Sequence, residues 1–145
     1  MVDVVPKYKR SVMMSGIRAK DTRPEIKLRK YLHSAGFRYR LHVRGLPGSP
    51  DVVLPRYRLA IFVHGCFWHR HRGCRYAATP ATRPEFWIEK FEKNRERDMR
   101  AQSELLALGW RVAIVWECSF KRSSSDPLIR LREFITSESN FEEFV

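Results

Sequence analysis

Long apolar runs are missing from this sequence, cysteine is rare, and acids are outnumbered. No stretch of its 145 residues approaches the roughly 20 apolar residues that a membrane-spanning helix needs. Met1 to Arg10 lacks the apolar segment of a secretory signal, so a cytoplasmic protein is expected. Three cysteines are an odd number and do not suggest the disulfide framework of a small secreted domain. No repeat, low-complexity segment or long linker divides the chain. Acids number 16 against 28 Lys and Arg, a formal charge of +12. That exceeds what a small domain needs for solubility. It calls for a polyanionic partner, with nucleic acid ahead of an acidic membrane surface. The excess is concentrated, because residues 1–44 hold twelve Lys/Arg and three Asp/Glu, or +9 of the total.

What is present organises into one α/β domain. Residues 1–20 read as a basic arm, helical in part around "YKRSVMMSGI". In "DTRPEIKLRKYLHSAG", Thr22 and Glu25 form a capping box and Pro24 sits in the first turn. Leu28, Tyr31, Leu32 and Ala35 then follow helical spacing up to Gly36. "FRYRLHV" alternates like a half-buried strand. "DVVL" and "LAIFV" are apolar runs joined by "PRYR", a hairpin signal. "TRPE" repeats the capping-box pattern with Thr82 and Glu85 and opens a long helix ending at Gly109. "WRVAIVW" reads as a buried strand and "DPLIRLREFI" as a last helix. The predicted order is α-β-β-β-α-β-α, a mixed sheet flanked by helices. The single domain spans 21–137. An acidic tail over 138–145, containing "ESNFEEF", is expected to be loose.

The stretch "HGCFWHRHRGC", residues 64–74, carries three of the five histidines and two of the three cysteines. Cys66, His71 and Cys74 share this loop, and Cys118 follows the "VAIVW" strand. Such a set suits tetrahedral Zn²⁺, and four protein ligands would make it structural. The alternative is buried free cysteines beside surface histidines.

His64 and His69 remain outside that cage. A hairpin turn centred on residues 55–58 sets Asp51 opposite Phe62, close to Val63 and His64. Asp51 opens an apolar strand, where a carboxylate is costly unless it binds something; it could instead cap a turn after Pro50. Glu25 lies on the inward face of its helix, in a capping-box role, a functional one, or both. Carboxylates, backbone carbonyls and a histidine at one sheet end suit Mg²⁺, which binds phosphate and activates water. His69 then serves as general acid or base. Phe67 and Trp68 either pack beneath the zinc or insert between base pairs, with Trp87 joining them. Lys90, Lys93, Asn94, Arg95 and Arg97 offer base and phosphate donors, although a solvated charged face is the plainer role for Arg95 and Arg97.

"GSPDVVL", "IFVHGCFWH", "PATRPEFWIEK", "KNRERD" and "LGWRVAIVWEC" together resemble the very-short-patch repair (Vsr) mismatch endonucleases, from about Met13 to Cys118. "HGCFWH" and "VWEC" are the most specific pieces. The resemblance implies a fold like that of type II restriction enzymes. It implies a Mg²⁺-dependent nick in duplex DNA at T:G mismatches left by 5-methylcytosine deamination, 5′ of the mismatched thymine. By position, Asp51 would ligand Mg²⁺ with the Val63 carbonyl, and His69 would do acid-base work supported by His64 and Glu25. Cys66, His71, Cys74 and Cys118 would hold Zn²⁺. Phe67, Trp68 and Trp87 would wedge the duplex open, with Met14 reaching in from the arm, while Lys90 and Asn94 would read the mispair. The resemblance extends to mismatch-repair proteins as partners, and one site making one nick suits a monomer. Two departures stand out: "HRHRGC" is one residue longer than the family's loop, and Val63 replaces a threonine. The (D/E)-x-K signature of most enzymes with this fold is also replaced by "VHG". Two other functions compete, a nuclease cutting undamaged DNA and a zinc-stabilised DNA-binding protein without catalysis.

Overall fold

The structure, a computed structural model, describes residues 22–74, 77–121 and 126–145. The basic arm, with Met14 and "YKRSVMMSGI", lies outside the described residues. The elements are α1 (Arg23–Ser34), β1 (Arg40–Leu41), β2 (Val52–Leu54), β3 (Leu59–His64), α2 (Pro84–Ala107), β4 (Arg111–Trp116), α3 (Pro127–Ile135) and β5 (Phe141–Phe144). One five-stranded sheet runs in the order β1-β2-β3-β4-β5. The first three strands are antiparallel, and β4 and β5 then add in parallel.

Strand pleating explains the layers, since alternate side chains leave opposite faces. Val52, Leu54, Leu59, Ile61, Ala113 and Val115 face Leu28 and Leu32 of α1 and Leu128, Leu131, Phe134 and Ile135 of α3. Ala60, Phe62, Val112, Ile114 and Trp116 face Leu105 of α2, with Cys66 and Cys118 in the same cluster. Helices thus cover both faces, as a sheet with parallel strands and apolar runs requires. The β2–β3 turn at Pro55–Tyr57 sets Val52 opposite Ile61 and Val53 opposite Ala60, the register expected from the sequence. Gly48 makes the approach to β2 possible. Its φ is +75°, and a Cβ there would meet the Ala101 Cβ at 2.6 Å and the Phe62 ring at 3.2 Å.

Three local expectations need correction. "FRYRLHV" yields only Arg40–Leu41 as strand, both exposed. His42 turns into the left-handed region at φ 50° and ends the pairing. The second capping box does not form: α2 is preceded by Arg83 at φ 53°, with no side-chain cap. That backbone breaks the extended geometry a Thr82 cap would need. At α1 the Thr22 side chain does accept from the Glu25 N–H, at 3.4 Å, but the Glu25 carboxylate goes to Arg29 and His42 instead of back to Thr22.

The third correction concerns the tail. Residues expected to be loose supply β5, which pairs with β4 from Val112–Phe141 to Val115–Phe144. Phe144 is fully buried and meets Phe134 edge-on at 5.9 Å. The Arg111 guanidinium donates to the carbonyls of Phe134, Ile135 and Ser139 at 2.6–2.9 Å, tying β4 to the end of α3. Glu142 and Glu143 stay exposed, so the acids that suggest a solvated tail sit on a strand whose aromatic end packs inward. Phe144→Ala should therefore cost about 3–5 kcal/mol, as a core Phe does, measured as a fall in the urea midpoint. An unchanged midpoint would mean that the tail is loose after all.

Candidate active site

The β3–β4 register builds the site. His64 ends β3 directly beside Trp116 at the end of β4. Beyond them the chain enters the 65–74 loop on one side and the helical turn Glu117–Lys121 on the other. The loop folds on its own backbone: the His69 N–H donates to the Gly65 carbonyl and the His71 N–H to the Cys66 carbonyl, each at 3.1 Å, and the Cys74 N–H to the His71 carbonyl at 3.2 Å. Glu117 reaches across and accepts from the Cys66 N–H at 3.2 Å.

Cys66, His71, Cys74 and Cys118 present four ligand atoms within 4.8 Å of one another. The His71 Nδ1 lies 3.6 Å from the Cys66 sulfur and 3.3 Å from the Cys118 sulfur. Tetrahedral zinc, with bonds of about 2.0 Å to nitrogen and 2.3 Å to sulfur, would separate such atoms by about 3.5 Å. The donor set and spacing fit Zn²⁺. Burial pushes the Cys66 thiol up, an effect that a bound cation would oppose. Trp116 stacks on the His71 ring at 4.3 Å and fixes its plane.

Next to this cage, Asp51 accepts from the Val63 N–H at 2.8 Å through Oδ2, as the hairpin register requires. Burial pushes its carboxyl up to about 6, the Val63 N–H draws it back, and the Glu25 charge adds to the rise. Glu25, 1% exposed, is held by Arg29 at 3.0 Å and His42 at 3.1 Å. Glu25, His42 and Asp51 form a second group of convergent ligand atoms, and His64, His69 and Asp98 a third. The His69 Nδ1 lies 2.6 Å from Asp98 Oδ2, and its ring stacks on His64 at 3.8 Å with planes 3° apart. Burial drives His64 far below its ordinary value, and His69 adds to the shift. His64 is therefore neutral, and its buried Nδ1 has no hydrogen-bond partner among the described residues.

The aromatics form one connected cluster on the other side of the loop. Phe67 meets Trp68, Trp87 and Phe91 at 5.0–5.8 Å. Phe91 is buried, whereas Phe67, Trp68 and Trp87 are partly open and Phe86 is 53% exposed. One edge of the cluster packs against Phe91 of α2 and the other is partly open. Asn94 donates to the Trp68 carbonyl at 3.3 Å, and the Lys90 ammonium sits 5.4 Å from the Trp68 ring. Trp87, Phe91, Asn94 and Asp98 recur every three or four residues, one stripe of α2 turned to the loop. Lys93, by contrast, pairs with Glu89 on the surface.

Sequence reasoning missed Asp98 and His42. Asp98 lies on the helical stripe of Trp87 and Asn94, a signal available from spacing. His42 had none, because its approach depends on a left-handed turn. Glu25 and His64 of these groups are buried, whereas His42, Asp51, His69 and Asp98 are partly exposed. A cavity of about 350 Å³ between Phe37, Tyr39 and Tyr57 lies at the other end of β2 and holds none of them.

The chain is similar to known proteins over most of its length. The family described as DNA mismatch endonuclease Vsr matches residues 2–75. A type II nicking enzyme of Xanthomonas oryzae pv. oryzae is 51% identical over 118 residues, 81% of this chain and 86% of the relative. The DNA mismatch endonuclease Vsr of Escherichia coli K12 is 46% identical over 142 residues, 95% of this chain and 90% of the relative. A type II nicking enzyme of Neisseria meningitidis is 42% identical over 124 residues, covering 86% and 88%.

Elemental analysis should find one zinc per chain. Cys118→Ala should lose it and melt at least about 10 °C lower, the shift expected for a loss of a few kcal/mol in a domain of this size. A variant that keeps both its zinc and its melting temperature would show that Cys118 is no ligand.

Proposed function

The chain belongs to the Vsr family of DNA mismatch endonucleases, and on that premise we propose that it nicks one strand of duplex DNA at T:G mismatches, 5′ of the mismatched thymine, with Mg²⁺. The observation that carries the proposal is the convergence of Asp51, His69 and the aromatic cluster around one loop. Asp51, with the Val63 carbonyl, is the proposed Mg²⁺ site, and Glu25 shapes its other side. When bound, Mg²⁺ neutralises phosphate charge and makes a water more acidic. A carboxylate already short of solvent gains by meeting a cation, which suits Asp51 to that role.

His69 moves the proton. Asp98 is an acceptor, so the His69 Nδ1 carries the hydrogen between them, and Nε2 is left to exchange a proton with water or the leaving oxygen. Asp98 thereby fixes both tautomer and ring orientation. His64, neutral and stacked on His69, holds that ring in plane and keeps one nitrogen for a substrate oxygen. Zn²⁺ in the Cys66–His71–Cys74–Cys118 cage would anchor the loop on which His69 sits.

Recognition falls to the wedge. Phe67, Trp68 and Trp87 would enter the stack at a mispair, where separation is cheapest, and Lys90 and Asn94 would read the exposed edges. The wedge favours this function over cutting of undamaged DNA, and the Asp51 and His69 groups favour it over binding alone. We extend the proposal to a restriction-endonuclease-like fold for the mixed sheet, action as a monomer in the bacterial cytoplasm, and mismatch-repair proteins as partners.

The roles separate in one experiment, with binding and single-turnover nicking measured on T:G and A:T duplexes. Asp51→Ala should bind the mismatch and not cut. His69→Ala should slow nicking by about 10²–10⁴, and Asp98→Asn should slow it less, in the same direction. Phe67→Ala with Trp68→Ala should narrow the preference for T:G. Normal cutting by Asp51→Ala would sink the proposal.

A pH dependence follows from the Asp51 value of about 6 against an ordinary 3.8. Without metal, the folded state binds this proton more tightly than the unfolded chain, so this group adds stability as pH falls from 6 towards 3.8. The same proton competes with the cation. The Mg²⁺ concentration for half-maximal nicking should rise about tenfold per pH unit below 6, and a flat requirement from pH 7 to 5 would contradict it.

A further inference from the structure

The mechanism above leaves one imidazole beside Asp51 unused. His42 stands between β1 and β2 with φ 50°, a left-handed conformation that non-glycine residues seldom adopt. It is kept there by its own N–H, which donates to the Asp51 carbonyl at 3.0 Å. The same backbone that positions Asp51 therefore positions His42. Its Nε2 lies 3.1 Å from Glu25 Oε1, and ligand atoms of Glu25, His42 and Asp51 all lie within 4.8 Å of one another. The three come from separate places, namely α1, the β1–β2 connection and the start of β2. Glu25 already has a full cation in Arg29 at 3.0 Å, so charge balance alone does not call for the imidazole.

We propose that His42 supplies a nitrogen ligand to the catalytic cation, making the position a mixed nitrogen–oxygen site that takes Mn²⁺ in preference to Mg²⁺. The chemistry is that of ligand hardness. Mg²⁺ demands oxygen ligands in near-ideal octahedral geometry and gives up its waters reluctantly. Mn²⁺ accepts carboxylate oxygen as Mg²⁺ does, and stands in the transition series for which imidazole is a suitable ligand. Two carboxylates and one imidazole, set on a backbone that cannot relax freely, favour the ion with looser demands. The inference rests on Asp51 being the cation site, and its test separates the two claims.

The zinc-loaded protein is titrated with Mn²⁺, followed by loss of the free-ion electron paramagnetic resonance signal. Bound Mn²⁺ is then examined by pulsed resonance for coupling to imidazole nitrogen, and Mg²⁺ binding is measured by competition. The variants are His42→Asn, because asparagine tolerates the left-handed backbone, His42→Gln as a second replacement, and Asp51→Asn. The expected result is nitrogen coupling in the parent that disappears in the His42 variants. Their Mn²⁺ affinity should fall by at least about tenfold, while Mg²⁺ affinity changes by less than about threefold. No nitrogen coupling in the parent, coupling that survives His42 replacement, or equal weakening of the two ions overturns the proposal. Asp51→Asn should lose both ions. Mn²⁺ retained by that variant overturns the assignment of the cation to Asp51, a failure distinct from loss of the His42 claim alone.

Discussion

The parallel pairing of β3 with β4 is the constraint on which the functional face depends. It sets His64 beside Trp116, and so brings the loop after one strand against the turn after the other. Cys66 and Cys118 are neighbours only because of it. A one-residue slip would turn the end residue of the shifted strand to the opposite face, separating His64 from His69 if β3 moved or removing Trp116 from His71 if β4 did. Burial enforces the register. Both strands are covered on each side, so neither can slide without exposing apolar side chains on one face and burying the wrong ones on the other.

Around this pairing, three polar groups occupy one end of the sheet without merging. The sulfur-rich group is closed and suited to a cation with no open position. The carboxylate group around Asp51 is harder in ligand character. The His64–His69–Asp98 group, with its stacked imidazoles, is the one proposed here for proton transfer. Their separation depends on different protein walls: the stacked Trp116 ring on the sulfur side, and the stacked imidazoles towards Asp98. The proposed recognition and acid-base residues, Trp68 and His69, are adjacent, and their neighbouring backbone is anchored by Gly65 and Asn94.

Much of this was legible in the sequence, for identifiable reasons. The hairpin register followed from turn position and the period of strand pleating, which located Asp51 near Val63. The cage residues were marked by ligand chemistry crowded into a short loop. What escaped depended on backbone geometry that side-chain patterns do not encode. The left-handed turn at His42 cut β1 short and delivered an imidazole to Glu25, and Arg83 removed the second helix cap. The tail misled through its charge. Glu142 and Glu143 are solvated on an edge strand, while Phe144, three residues beyond Phe141, enters the core. Asp98 was legible in principle, since it continues the spacing of Trp87, Phe91 and Asn94.

The parallel partners β3 and β4 also shape how the chain acquires its structure. Leu59 finds Arg111 only after the whole of the loop and α2 have been traversed, whereas β2 and β3 are joined by a turn of a few residues. The hairpin can close early, but its inner strand must wait for a distant segment, the kind of non-local contact that slows folding. During that wait Leu59–His64 offers an unpaired, almost wholly apolar edge, a template for adhesion between molecules. The surplus positive charge, needed for a polyanion in the finished protein, keeps nascent copies apart. A zinc ion captured by residues on both sides of the gap would shorten the search by holding the two segments together.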